Sequence, residues 1–135
     1  MIGKRLFLDT SVIIDFLRQQ NKNRTWFYFL AESENKLEIS IITHTELYSG
    51  KRIWANVQDR KELENLIDGM EIINLNRTIS ELGGQLRAKR GIDLADAIIA
   101  ATAMNEKIEL ATLNPKHFKK IPGLHLLKPV LKYKN

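Results

Sequence analysis

The sequence predicts an α/β fold in which helices cover both faces of a central, mostly parallel and twisted sheet. Short apolar, β-branched segments alternate with longer stretches of helical periodicity along the 135 residues, a pattern typical of parallel α/β proteins. The chain contains no linker-like segment, low-complexity stretch or internal repeat. A chain of this length can bury a core of its own. We therefore expect one domain over residues 1–135.

The first strand and helix are predicted by the stretch LFLDTSVIIDFL, residues 6–17. Residues 6–8 are apolar and read as a short buried strand, and the apolar residues from Val12 to Leu17 recur at helical spacing. Three small polar residues, Asp9-Thr10-Ser11, separate the two. They predict a strand-to-helix turn, in which either hydroxyl could cap the helix. A cap does not explain the acid that precedes it.

The remaining elements follow the same alternation. Further apolar runs predict strands at 37–42, 71–75, 108–113 and 124–127. Helical periodicity is present over 12–31, 45–67, 79–90 and 94–105. Gly91 is expected to end the third of these helices, and Pro115 and Pro122 mark turns.

The composition excludes several classes of protein. There is no cysteine, which excludes disulfides and thiolate zinc sites and agrees with a cytoplasmic location. No apolar stretch approaches the roughly 20 residues that span a membrane, and the N-terminus lacks the order of a signal peptide. The net charge of +5 favours a polyanionic partner, most often nucleic acid.

Four oxygen-bearing side chains lie where the predicted strands end or the following helices begin. Asp9 follows the first strand and Glu46 follows the second by about one turn. Asp96 lies in the first turn of the last helix, and Asn114 follows the fourth strand. Ligands of open α/β sheets bind beyond the carboxyl ends of the strands. Carboxylates gathered there repel one another unless cations neutralise them, and such oxygens suit Mg²⁺ or Mn²⁺. An acidic metal site on a basic protein is typical of a nuclease.

The same acids also fit a purely structural interpretation. Thr43-x-x-Glu46 matches a capping box, in which the acid reaches back to the start of its own helix. Asp93-x-x-Asp96 is a looser version, and we interpret Asp93 first as an N-cap and second as a further ligand. Thr78-x-x-Glu81 has the same spacing and is interpreted as structural. Spacing alone therefore does not separate ligands from caps.

Four motifs in order resemble the PIN-domain family, and most of all the VapC-type toxins of type II toxin–antitoxin pairs. They are FLDTSVIIDFL, TELYSG, DLADAIIAATA and LATLNPKHF. The resemblance implies a PIN-like three-layer α/β/α fold and an endoribonuclease that depends on Mg²⁺ or Mn²⁺. It also implies a cognate VapB-like antitoxin that covers the site, and a homodimer that could join a higher toxin–antitoxin assembly.

The resemblance assigns roles to individual residues. Asp9, Glu46 and Asp96 match the first three acids of the family and would hold the metal ion. Asn114 stands where the family often has a fourth acid, so one-metal and two-metal chemistry both remain open. His117 stands where many relatives have an acid, and it is a candidate for phosphate contact. Two hydroxyls, Thr10 and Thr112, are expected beside the ligands.

The reaction expected from this resemblance is hydrolysis of an RNA phosphodiester by a water that the metal ion activates, because no side chain is an obvious general base. Lys116, Lys119 and Lys120 follow Asn114 and are the basic group best placed to bind the RNA backbone. Two alternatives remain open. One is a PIN-type RNA-processing nuclease without an antitoxin, and the other is a non-catalytic module that binds RNA or protein.

Overall fold

The computed structural model describes residues 3–129 and contains a five-stranded, wholly parallel sheet in the order β3-β2-β1-β4-β5. The strands are β1 (Arg5–Leu8), β2 (Lys36–Ser40), β3 (Glu71–Ile73), β4 (Glu109–Ala111) and β5 (Leu126–Leu127). Phe7 at the centre is paired with Glu38 on one side and with Leu110 on the other. Because all strands run the same way, their carboxyl ends share one edge.

Seven α-helices connect the strands within the described residues. They are α1 (Thr10–Arg18), α2 (Trp26–Glu32), α3 (Ile41–Tyr48), α4 (Lys51–Ala55), α5 (Val57–Asp68), α6 (Arg77–Arg90) and α7 (Leu94–Glu106). Short 3-10 turns occur at Lys22–Arg24 and Pro115–His117. The predicted α/β class is confirmed, and no helix in this part of the chain is long and apolar enough to cross a membrane.

Two predicted helices are in fact interrupted. The stretch predicted as one helix over 12–31 contains α1, a 3-10 turn and α2, and the one predicted over 45–67 contains α3, α4 and α5. The second set of breaks has a local cause: Gly50 starts α4, and the Asn56 side chain starts α5 by accepting the Asp59 N–H at 3.0 Å. Similarly, β2 ends before residues 41–42 because Ser40 accepts the Ile42 N–H and begins α3.

The core lies in two layers, one on each face of the sheet. Leu6 and Leu8 face one layer and Phe7 faces the other, as the alternation of a strand requires. The first layer buries Val12, Ile13, Trp26, Phe27, Leu30, Leu47, Leu63 and Ile67. The second buries Ile79, Leu86, Ala97, Ile99, Ala100, Ala101, Ala103, Phe118 and Ile121. The predicted three-layer fold is therefore confirmed for residues 3–129. The prediction of one domain over residues 1–135 includes residues 1–2 and 130–135, which lie outside the described residues, and it stays a prediction.

The edge opposite the carboxyl ends carries ion pairs. Arg5 donates to both carboxylate oxygens of Glu38, at 2.6 and 2.8 Å, and to Glu106 at 3.1 Å. Glu38 is only 1% exposed, whereas in the neighbouring Lys4–Glu109 pair Lys4 is 61% and Glu109 35% exposed. Arg5 therefore compensates a carboxylate that is buried within the sheet.

Candidate active site at the carboxyl edge of the sheet

Asp9 lies at the centre of the carboxyl edge, directly after β1. Its backbone N–H donates to the Ala111 carbonyl at 2.9 Å, which continues the pairing of β1 with β4. The residue occupies the N-cap position of α1 and is only 4% exposed. Its side chain makes no capping hydrogen bond, so the carboxylate does not serve the helix that it precedes.

Two hydroxyl groups hold the Asp9 carboxylate instead. Ser11 and Thr112 each donate to Oδ2 of Asp9 at 2.7 Å. These hydroxyls are in turn fixed by backbone donors, since the Leu113 N–H donates to Ser11 Oγ and the Asn114 N–H donates to Thr112 Oγ1. Residues 3–129 provide no hydrogen bond to the second oxygen, Oδ1. One carboxylate oxygen is oriented by the protein, and the other remains for a ligand.

Glu46 is held in the same way from another element. Thr10 Oγ1 donates to Oε1 of Glu46 at 2.7 Å and lies 2.9 Å from Thr43 Oγ1. Because Thr10 has only one hydroxyl proton, the wholly buried Thr43 must be the donor in the second bond. The capping-box interpretation of Thr43 and Glu46 is wrong, because α3 is capped by Ser40.

Asp96, in the first turn of α7, is a partly buried carboxylate with other acids around it. Partial burial raises its pKa, and the negative charges of Asp9, Asp93 and Glu46 raise it further. His117 lowers it, since its Nδ1 lies 3.2 Å from Oδ2 of Asp96. The predicted acids therefore lie close enough to repel one another, as expected of carboxylates gathered without a cation.

Asp93 and Asn114 lie at the margin of this site. Asp93 is the N-cap residue of α7 by position, as predicted, but its exposed carboxylate makes no capping hydrogen bond. Asn114 precedes the 3-10 turn Pro115–His117, and its side chain is likewise exposed and makes no capping bond. Both side chains are therefore available to solvent and to ligands at the edge.

The donor chemistry fits a hard divalent cation. As the side chains stand, residues 3–129 contain no group of three or more His, Asp or Glu side chains arranged to hold a metal ion. Mg²⁺, however, usually retains several waters and is bound through one or two carboxylates. The repulsion on Asp96, which His117 offsets only in part, is the electrostatic condition that a cation relieves. An ion held partly through water fits this site better than a cage of three direct carboxylate ligands.

A basic groove opens beside Asp96. It has a volume of about 520 Å³ and is lined by Lys89, Arg90, Gly91, Ile92, Asp93, Asp96, Lys116, His117 and Lys120. Lys116 and His117 thus line the same groove as Asp96. Lys119 does not line the groove, although Lys120 does, so the predicted basic group divides into members that face the site and one that does not.

Two residues of the site were not predicted from the sequence as contributors to it. The sequence indicated Ser11 only as a turn residue and candidate helix cap, and Thr43 only as a cap. Ser11 lies two residues from Asp9, a spacing at which a turn brings the two side chains together, but ordinary caps share that spacing. Thr43 contacts Thr10 from another element, so no local spacing indicated its role.

A comparison with family models matches residues 6–124 to the PIN domain. Among curated proteins, the chain is similar to Ribonuclease VapC10 of Mycobacterium tuberculosis, with 31% identity over 92% of this chain and 91% of that protein. It is also similar to Ribonuclease VapC1 of Rickettsia felis, with 34% identity over 90% of this chain and 94% of that protein.

Toxin–antitoxin complexes are among the solved structures with a similar fold. A toxin–antitoxin complex from Klebsiella pneumoniae matches with a TM-score of 0.74 and 29% identity, over 93% of this chain and 98% of that one. VapBC2 from Rickettsia felis, bound to a DNA fragment from its promoter, matches with a TM-score of 0.75 and 25% identity, over 93% and 99% of the two chains. The sequence motifs, the parallel sheet and the edge that gathers the acids agree with these matches: the chain belongs to the PIN-domain family.

Proposed function

We propose that this protein is the toxin of a type II toxin–antitoxin pair and an endoribonuclease that hydrolyses RNA phosphodiesters with Mg²⁺ or Mn²⁺. The curated relatives are named VapC ribonucleases, and the structural relatives include VapBC toxin–antitoxin complexes. The observation that carries the proposal is the cluster of mutually repelling carboxylates around Asp96, directly beside a basic groove. A polyanion drawn to the groove would lie against these acids.

The residues that would hold the ion are Asp9, Glu46 and Asp96, with Asn114 assisting through its amide oxygen. When bound, the divalent ion supplies an activated water and neutralises charge that develops on the phosphate. Ser11 and Thr112 orient Asp9, and Thr10 orients Glu46. This leaves one oxygen of each carboxylate free to face the ion.

The basic residues and His117 would act on the substrate. Lys116 lies on the groove beside Asp96 and can neutralise a backbone phosphate. His117 faces Asp96 through Nδ1, and when the imidazole is protonated its Nε2 can donate to a phosphate oxygen. We further propose that a VapB-like antitoxin inhibits the enzyme, and that the toxin is a cytoplasmic homodimer.

The test is RNA cleavage by purified protein with Mn²⁺ or Mg²⁺, compared with Asp9→Asn and Asp96→Asn. Each variant is expected to lose more than the roughly 10- to 100-fold that is typical of changing a residue hydrogen-bonded to a metal ligand. Excess EDTA should abolish cleavage by the wild type. Glu81→Gln, which changes an exposed acid on α6, is the matched control and should cleave normally.

Full cleavage by either site variant, or cleavage that persists in EDTA, would contradict the proposal. RNA binding without metal-dependent cleavage would instead indicate the non-catalytic binding module. Toxicity in cells separates the two nuclease candidates. Growth arrest on induction that a small adjoining reading frame relieves supports a toxin, whereas a processing nuclease would need no such partner.

A further inference from the structure

The basic groove contains cations whose charges are not neutralised within the described part of the chain. Lys89 and Arg90 end α6, while Lys116 and Lys120 lie on and after the 3-10 turn. All four side chains are exposed, and none belongs to a salt bridge or a side-chain hydrogen bond among residues 3–129. Their charge is therefore available to a ligand.

Local structure separates these cations from neighbours that have other roles. Arg87, one turn earlier on α6, donates to the Ile92 carbonyl at 2.7 Å and so fastens the turn between α6 and α7. Gly91 at that turn has a φ of 67°, a left-handed conformation that lets the chain reverse. Lys119 is not among the residues that line the groove, whereas Lys116 and Lys120 are. Of the basic residues in these two segments, only some line the groove.

The opposite side of the site is different in charge. A cleft of about 760 Å³, here called the α1 cleft, begins at Glu46 on the other face of the sheet and is lined by residues of α1, α3, α4 and α5. Its ionisable residues are Arg18, Arg52, Glu46, Asp59 and Glu62. Arg52 is already paired with Asp59 at 3.3 Å. The acids outnumber the cations there, whereas four cations face two acids in the basic groove.

We propose that this enzyme binds its RNA asymmetrically: the basic groove holds the phosphates on one side of the cleaved bond, and the α1 cleft provides no comparable phosphate contact. The inference rests on the proposed function, because it takes the carboxylates as the point of cleavage. Charge complementarity identifies the occupant of the groove as a phosphodiester backbone. In an RNA that passes Asp96, the nucleotides on one side of the cleaved bond then bind through their phosphates, and those on the other side contribute little affinity.

Binding tests the groove without depending on cleavage. Affinity for a fluorescent single-stranded RNA is measured in EDTA over a range of salt concentrations, for wild type and for Lys116→Ala/Lys120→Ala. Loss of two phosphate contacts should flatten the slope of log K against log salt by about 1.4, at roughly 0.7 per contact. The control Lys119→Ala/Lys61→Ala removes the same charge from exposed lysines outside the groove and should retain the wild-type slope. Equal slopes in both double variants would overturn the assignment.

Substrate trimming tests the asymmetry. Once the cleaved bond is mapped, the RNA is shortened by two nucleotides on the 5′ side or on the 3′ side of it. Shortening on one side only should raise KM in the wild type, and Lys116→Ala/Lys120→Ala should remove that difference between the sides. Equal losses from both sides, or a difference that survives in the double variant, would contradict the proposal. If the wild type cleaves no RNA, the proposed function fails, while the binding measurement still decides whether the groove holds a polyanion.

Discussion

Hydroxyl groups orient two of the three carboxylates of this site, those of Asp9 and Glu46, within the described residues. Ser11 and Thr112 bind one oxygen of Asp9, and Thr10 binds one oxygen of Glu46. Neutral donors fix the geometry but leave the negative charge in place. Repulsion therefore accumulates on Asp96, whose pKa is raised by burial and by the neighbouring acids. The site is ordered before any ion binds, at a cost in stability.

That cost predicts that Asp96→Asn stabilises the metal-free protein. A raised pKa means that the folded state binds the Asp96 proton more tightly than the unfolded chain, so ionising Asp96 disfavours folding. The penalty is absent below the ordinary value of 3.8 and complete above the raised pKa. The Tm of Asp96→Asn in EDTA should thus exceed that of the wild type at neutral pH, and the difference should shrink as the pH falls toward 3.8.

Added Mn²⁺ should reverse this order. Saturation to 100 times the dissociation constant stabilises a protein by about 2.7 kcal/mol, and Asp96→Asn should gain clearly less because it has lost a charged ligand. Calorimetric Tm values with and without the ion provide the measurement. If the variant is less stable than the wild type in EDTA, then ionised Asp96 does not destabilise the metal-free fold. If the Tm of the variant rises as much on adding Mn²⁺ as that of the wild type, then Asp96 is not a ligand of the ion.

The sequence predicted Asp9, Glu46 and Asp96 as candidate ligands, but not the hydrogen-bond network around them. Their places at strand ends and helix starts are local features, and the resemblance to the PIN-domain family, not their spacing, favoured them over caps. The hydrogen bond from Thr112 to Asp9 joins residues 103 positions apart, and no local pattern specifies its direction. Thr112 could be placed near the ligands only because it precedes Asn114. The role of Thr43 is not visible without the fold, because its hydroxyl serves another element.

At the scale of elements, the helix starts differ from those that motif spacing suggests. Helix α3 is capped by Ser40 and α6 by Asn76, whose side chain accepts the Ile79 N–H at 2.8 Å. The threonines of the two capping-box patterns, Thr43 and Thr78, lie inside these helices. Several short polar residues near a helix start can all act as caps, and the fold selects the one at which the preceding strand or loop ends.

Two substitutions at the start of α6 distinguish these interpretations. Asn76→Ala removes the observed cap and should reduce the free energy of unfolding by about 1 kcal/mol. Thr78→Ala should change it by no more than about 0.5 kcal/mol, because Thr78 is an exposed residue within the helix. Urea unfolding measures both. A larger loss for Thr78→Ala would restore the capping-box interpretation of Thr78 and Glu81.

At the scale of the whole molecule, the parallel sheet places the candidate site at one edge and a stabilising ion pair at the opposite edge. The carboxyl edge gathers the acids and the basic groove, while the opposite edge carries the Arg5–Glu38 pair. The alternation of strands and helices predicted this sheet, since parallel strands need helical crossovers. The interruptions of the helices were not predicted, because the apolar periodicity of the sequence continues across Gly50 and Asn56 although the helix ends before each of them.

The ion pairs at the opposite edge should contribute unequally to stability. Arg5→Met leaves the buried Glu38 carboxylate without its partner and should reduce the free energy of unfolding by about 3 kcal/mol. Lys4→Met breaks the more exposed pair with Glu109 and should cost less than about 1 kcal/mol. Urea denaturation of the two variants compares them directly. Similar losses would mean that the burial of Glu38 is not what makes Arg5 important.

The direction of the strands also decides where this protein can be modified for experiments. β1 enters the sheet from the rim opposite Asp9, whereas β5 runs parallel to it and ends at Leu127 on the same rim as the acids. A purification tag, dye or surface tether that starts directly before Arg5 would leave the sheet at the rim away from the acids. One that starts directly after Leu127 would leave the sheet at the rim that carries them.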